Sequence, residues 1–148
     1  MSAALLPLPD ESSAPFWDGC VRGQLLVQTC TGCGRRRMPP RPMCPACTSL
    51  AHSWIPSSGH GRIWSFVVPH PPLLPAFTDL APYPVVVVEL IEDPMIRFVG
   101  NLVTWPEGEI NEVDPTTIAI GQKVHVVFAA PVEDGNGPPM AIPRWIRD

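Results

Sequence analysis

Apolar residues fall in short runs along this chain, and proline, glycine or aspartate stops each run early. Valine and isoleucine dominate Pro84 to Ile91 and Ile96 to Val103. Such side chains fit a pleated, half-buried surface, so both segments read as strands, with Asp93-Pro94 as the turn between them. Arg62 to Val68 reads as another strand. So does Lys123 to Ala129, which Gly121 precedes, and Met140 to Ile146 reads as a final edge strand. Leu25 to Gln28 is a shorter strand that leads into Cys30, and His52 to Ile55 closes the segment that follows. Thr117 to Ile120 reads as a short turn or helix, and 134–139 as a loop. Helical spacing is clear near the start, where Phe16, Trp17, Cys20 and Val21 share a face. Ser12 or Ser13 caps that helix, Pro15 is tolerated in its first turn, and Gly23 supplies a left-handed stop. Residues 1–11 show no periodicity and read as a tail.

About five strands with a glycine-marked entry fit a small Greek-key barrel of OB type. The predicted fold is mainly β: a short N-terminal helix, a cysteine ribbon, then a small OB-fold barrel. The expected division is a tail over 1–13, helix and ribbon over 14–57, and the barrel with a C-terminal extension over 58–148. Composition sharpens this. Proline contributes 21 of 148 residues, well above the usual share of about 5%, which favours short strands and ordered turns over long helices. The formal net charge of −4 gives no basic field for nucleic acid or an anionic membrane. The longest apolar run, Val126 to Ala130, is far too short to span a bilayer. No basic leader precedes a long apolar stretch, so we expect no secretory signal and a cytoplasmic protein.

Four of the five cysteines form two CxxC pairs, Cys30/Cys33 and Cys44/Cys47, with ten residues between them. A CxxC turn lets two thiolates converge on one ion, and two such turns complete a tetrahedral shell with zinc–sulfur bonds near ~2.3 Å. Gly32 and Gly34 relieve the first turn, and Pro45 stiffens the second. A shell of four thiolates leaves no position for water, so the expected metal is a structural Zn2+. Two disulfides, or iron in a rubredoxin-like site, are the alternatives. Cys20 lies outside both pairs, on the helix face, and reads as a core residue.

Arg35, Arg36, Arg37 and Arg41 place four of the ten Lys and Arg residues in a seven-residue window. They suit the phosphates of an anionic ligand such as coenzyme A, or else form a solvated face or an ion-pair strip. An OB barrel also raises nucleic-acid binding, which needs a basic groove with stacking aromatics. Here the basic cluster lies on the ribbon. Pro69 to Pro84 holds six prolines together with Leu73, Leu74, Phe77, Leu80 and Tyr83. So apolar a connection either folds back over the barrel or docks on another protein. His52, His60, His70 and His125 are scattered without a nucleophile motif, and His70, at the mouth of this arm, is the one to watch. Glu89, Glu92 and Asp93 read as strand-end and turn carboxylates.

Taken in order, Pro15-Phe16-Trp17, CTGCG from Cys30, RMPPRPMCPAC from Arg37, GHGRIWSFVVPH from Gly59, PYPVVVVEL from Pro82 and IGQKVHVVF from Ile120 resemble a known family. It is that of the acyl-CoA-associated zinc-ribbon/OB-fold proteins, also called domain of unknown function thirty-five. The resemblance runs from residue 14 to about residue 145. It implies a non-catalytic accessory subunit of a thiolase-superfamily enzyme, either a thiolase or a retro-aldolase of steroid side-chain breakdown. The subunit would help form the acyl-CoA channel, two copies pairing with two of the enzyme in an α2β2 assembly. The family's zinc ligands fall on Cys30, Cys33, Cys44 and Cys47, and no catalytic residue carries over. A free-standing acyl-CoA- or nucleic-acid-binding OB module is the rival reading.

Overall fold

The computed structural model describes residues 5–148. The first helix, α1 (Ala14–Val21), carries Pro15 in its first turn, where the missing N–H has no intrahelical acceptor anyway. Its entry is set by a reciprocal pair: the Ser13 N–H and hydroxyl donate to the Asp10 carboxylate, and the Asp10 N–H donates to Ser13 Oγ. Gly23, at φ +73°, ends it as expected. Phe16 and Cys20 are buried, with Trp17 and Val21 packed against the same core.

A three-stranded antiparallel sheet follows, ordered β2-β1-β3, from β1 (Leu26–Cys30), β2 (Arg36–Arg37) and β3 (His52–Pro56). The second sheet has five strands: β4 (His60–Val67), β5 (Val85–Leu90), β6 (Arg97–Asn101), β7 (Lys123–Phe128) and β8 (Pro143–Arg147). Its order is β6-β5-β4-β7-β8, antiparallel throughout. A register shift between Ile63 and Ser65 bends β4 at Trp64. The mainly β OB architecture is therefore present, but its ladder does not close into a complete barrel. The two edges meet at one parallel bridge, Leu102 to Trp145, where the Val103 N–H donates to the Trp145 carbonyl at 2.9 Å.

Most strand ends shift by one or two residues, and two expected elements change more, each for a visible reason. Met140 forms an isolated bridge with Val132 across the 134–139 loop, so the last strand begins at Pro143. The short helix is a 3-10 turn at Pro115–Thr117, because Asp114 caps it by accepting the Thr116 N–H and hydroxyl. One hydrophobic cluster joins Phe16, Cys20, Leu25 and Val27 to Ile63, Val86, Val88, Phe98 and Trp145. Helix, ribbon and OB sheet thus share a core. No helix among the described residues is long and apolar enough to cross a membrane.

A four-cysteine metal centre and the arginine cleft beside it

The ribbon's two knuckles share one hydrogen-bond plan. In the first, the Gly34 N–H donates to the Cys30 carbonyl and the Cys30 N–H to the Arg35 carbonyl, each at 2.9 Å. In the second, the Thr48 N–H donates to the Cys44 carbonyl and the Cys44 N–H to the Ser49 carbonyl, again at 2.9 Å. Both turns need a left-handed residue. Gly34 takes φ +77° in the first, and Thr48 takes φ +64° in the second, a conformation few β-branched residues hold.

These turns bring the four Sγ atoms within 4.8 Å of one another. Cys30 and Cys47 lie 3.5 Å apart at sulfur, and Cys33 and Cys44 lie 3.7 Å apart. A tetrahedron with ~2.3 Å zinc–sulfur bonds has edges of ~3.8 Å, so the cluster matches a zinc shell in size. These sulfur separations lie well beyond the ~2.05 Å of a disulfide, and none of the five cysteines is disulfide-bonded. Electrostatics agree. The Cys33 amide, followed by others, pulls the Cys30 thiol down to about 6, and the Cys47 and Ala46 amides lower Cys44. Cys47 is pushed up to about 11: the Ser49 amide favours its thiolate, but the neighbouring sulfurs and burial outweigh it. Such crowding of negative charge is what a bound cation relieves. Cys20 stands apart in the core, where burial raises its thiol to about 12.

The four arginines line one cleft of about 550 Å³ between the ribbon and the β5–β6 turn, together with Asp93, Met95 and Ile96. They are not equivalent. Arg37 is only 6% exposed and donates from Nη2 to the Arg41 carbonyl at 3.0 Å. Buried Gln28, opposite Arg37 on β1, accepts the Arg41 N–H at 2.8 Å. The main chain of residue 41 is thus clamped from both sides, which holds the second knuckle against the first. Gln28 escaped the sequence reading, because it sits just after the apolar run Leu25 to Val27 and reads like Gln24 on the other side of that run. Replacing Gln28 with alanine leaves a partly buried N–H without its acceptor, at an expected cost of about 1–3 kcal/mol, read as a lower melting temperature.

The remaining candidates stay apart from any catalytic set. His70 is exposed, and His52 Nδ1 lies 3.2 Å from the Leu50 carbonyl. His60 and His125 face each other across β4 and β7, and His125 pairs with Asp148 at 2.7 Å. Glu89 lies on β5, and Asp93 Oδ1 accepts the Met95 N–H in the β5–β6 turn. Burial opposes ionisation of Glu92, but the Ser58 hydroxyl and N–H outweigh it and hold its pKa below the ordinary value. The arm divides. Tyr83 is buried against Phe77, and Phe77 and Leu80 line an apolar pocket of about 130 Å³ with Leu6, Ile110 and Met140. Leu74 remains 62% exposed.

Ribbon and sheet together define a zinc-ribbon protein with an OB-fold domain. Residues 17–53 match the family described as the ChsH2 rubredoxin-like zinc ribbon domain, and residues 54–129 match the ChsH2 C-terminal OB-fold domain. The chain belongs to this ChsH2/DUF35 family. It is 36% identical over 116 residues to a DUF35 domain-containing scaffold protein of Methanothermobacter thermautotrophicus, covering 78% of this chain and 79% of that one. It is 35% identical over 123 residues to a probable enoyl-CoA hydratase alpha subunit of Thermomonospora curvata, covering 82% of this chain and 35% of the relative. Against the 3-oxo-4,17-pregnadiene-20-carboxyl-CoA hydratase alpha subunit of Mycobacterium tuberculosis, identity is 32% over 126 residues, covering 85% and 36%. The chain therefore spans about a third of the length of these two hydratase subunits. Among solved structures, a chain of the complex described as "Ltp2-ChsH2(DUF35) aldolase" superposes with a TM-score of 0.76 at 30% identity. That match covers 96% of this chain and 98% of the other.

Proposed function

We propose that this chain is a non-catalytic accessory subunit of a thiolase-superfamily acyl-CoA enzyme, such as a retro-aldolase acting on steroid side chains. It packs on that enzyme, two copies with two, and forms part of the wall of its acyl-CoA channel. Cys30, Cys33, Cys44 and Cys47 hold one zinc ion, whose contribution is to fold the ribbon and not to react. A reducing cytoplasm keeps those thiols available. One observation carries the reading: the similarity to the aldolase-complex chain spans nearly the whole of both chains at 30% identity. The surface supports it. Val67, Leu74 and Val99 are 60%, 62% and 71% exposed, and apolar side chains left in water suit a partner's surface.

The divided arm makes the docking part testable. Leu74→Asp alters an outward residue and is expected to leave the melting temperature nearly unchanged, as surface substitutions do. It should weaken the complex about 10–100-fold, the loss of one buried leucine worth roughly 1.5–3 kcal/mol. Phe77→Asp puts a carboxylate against Tyr83 and is expected to lower the melting temperature of the free chain. Light scattering and thermal melts of both variants check this. A complex unchanged by Leu74→Asp would remove the arm from the interface.

A further inference from the structure

We infer that the cleft between the zinc ribbon and the β5–β6 turn is a phosphate-binding site, with Arg35, Arg36 and Arg41 as its contacts and Arg37 as the buried charge beneath them. The first ground is an uncompensated buried cation. Arg37 is 6% exposed, and its Nε and Nη1 are buried without any hydrogen-bond partner. Native folds seldom leave a buried charge unpaired, because desolvating it is costly. No ion pair reaches any of the four arginines among the described residues. Two carboxylates lie at the β5–β6 turn, Asp93 on the cleft itself and Glu92 beside it, and both already accept hydrogen bonds from other groups. Asp93 Oδ1 accepts the Met95 N–H at 3.2 Å, and Glu92, close enough to feel Arg36, accepts the Ser58 N–H and hydroxyl at 2.9 and 2.8 Å.

The second ground is shape and composition. Four arginines and one aspartate line a cleft of about 550 Å³, enough for a ligand larger than a single ion. Met95 and Ile96 form an apolar wall on the same cleft. Guanidinium forks match the oxygens of phosphate in pairs, so two exposed arginines and a half-buried one beside a buried fourth charge favour a group with more than one negative charge. The apolar wall then takes the less polar body that carries the phosphate. A phosphorylated small molecule fits both features. That its carrier is coenzyme A rests on the acyl-CoA reading above; the phosphate site itself does not.

The test uses the full-length, zinc-loaded chain and the variant Arg36→Gln with Arg41→Gln. Arg41 serves the fold through its main chain, so its side chain is removable without opening the clamp, and an unchanged zinc content confirms that the ribbon is intact. Calorimetric titration with sodium pyrophosphate at low ionic strength is expected to show binding that weakens as salt rises. The double variant should lose at least about tenfold in affinity, the usual scale for charge-assisted contacts. Coenzyme A should bind more tightly than pyrophosphate. No pyrophosphate binding, equal binding by the double variant, or equal binding of acetate would overturn the site. Tighter capture of a single-stranded oligonucleotide through the same arginines would overturn the small-molecule assignment. Pyrophosphate binding with no gain for coenzyme A would uphold the site and break its link to acyl-CoA. A chain that binds phosphate yet joins no thiolase-like enzyme would uphold the site and count against the accessory reading.

Discussion

Replacing Cys44 with serine is expected to abolish stoichiometric zinc binding and to unfold the ribbon. The sulfur it removes is fully buried and lies 3.7 Å from that of Cys33, so its loss opens one corner of the shell. Zinc in comparable four-ligand peptides is worth about 10–16 kcal/mol, as large as the whole stability of a typical domain. The ribbon cannot replace that from its own packing: β2 is two residues long, and β3 is largely exposed. Elemental analysis with a thermal scan checks it, with one zinc per chain in the parent protein and a broad, low-temperature transition in the variant. Cys20→Ala is the matching control. It deletes a thiol from the core and not from the shell, so zinc should stay while stability falls modestly. Metal-free protein that melts like the loaded form would contradict a structural zinc.

Replacing Trp145 with alanine is expected to cost about 3–5 kcal/mol, the usual scale for a fully buried aromatic. Trp145 is 1% exposed, lies 6.3 Å from the Phe98 ring and packs closely on Gly100, where a Cβ would sit 3.2 Å from the indole. Its main chain also carries the bridge that joins the two edges of the OB sheet. At about 2–4 °C per kcal/mol, the melting temperature should fall by roughly 10 °C. Phe98 stacks on Phe16 of α1, so the loss should spread into the helix and ribbon, and the protein should still melt in one transition. Two separated transitions would show that ribbon and sheet are independent units, against the shared core.

The sequence pattern exposed those elements whose signal is local. Valine-rich strands, the Asp93-Pro94 turn, the Gly23 stop and the paired CxxC each declare themselves within a few residues. The arm did not, because its prolines and leucines suit either fold-back or docking. Only the three-dimensional path shows Phe77 and Leu80 turned inward and Leu74 outward. The clamp on residue 41 was equally hidden. It depends on the pairing of Gln28 with Arg37 across two strands, a register that neither segment encodes alone. For the same reason the arginine window read as four equal charges, whereas the fold buries Arg37 and leaves Arg35 and Arg41 exposed. Closure of the barrel was overstated, since counting strands says nothing of whether the outer pair meets along its length or at a single bridge.

We propose above that this chain works as part of a larger acyl-CoA enzyme. The most direct test of that proposal is to purify the chain at native abundance from its own host and to identify and weigh what travels with it. We expect a stable complex with a thiolase-superfamily enzyme, two copies of each, which turns over an acyl-CoA thioester while the separated chain does not. A chain that elutes alone, or that hydrolyses or transfers an acyl-CoA by itself in a His70-dependent reaction, would contradict it.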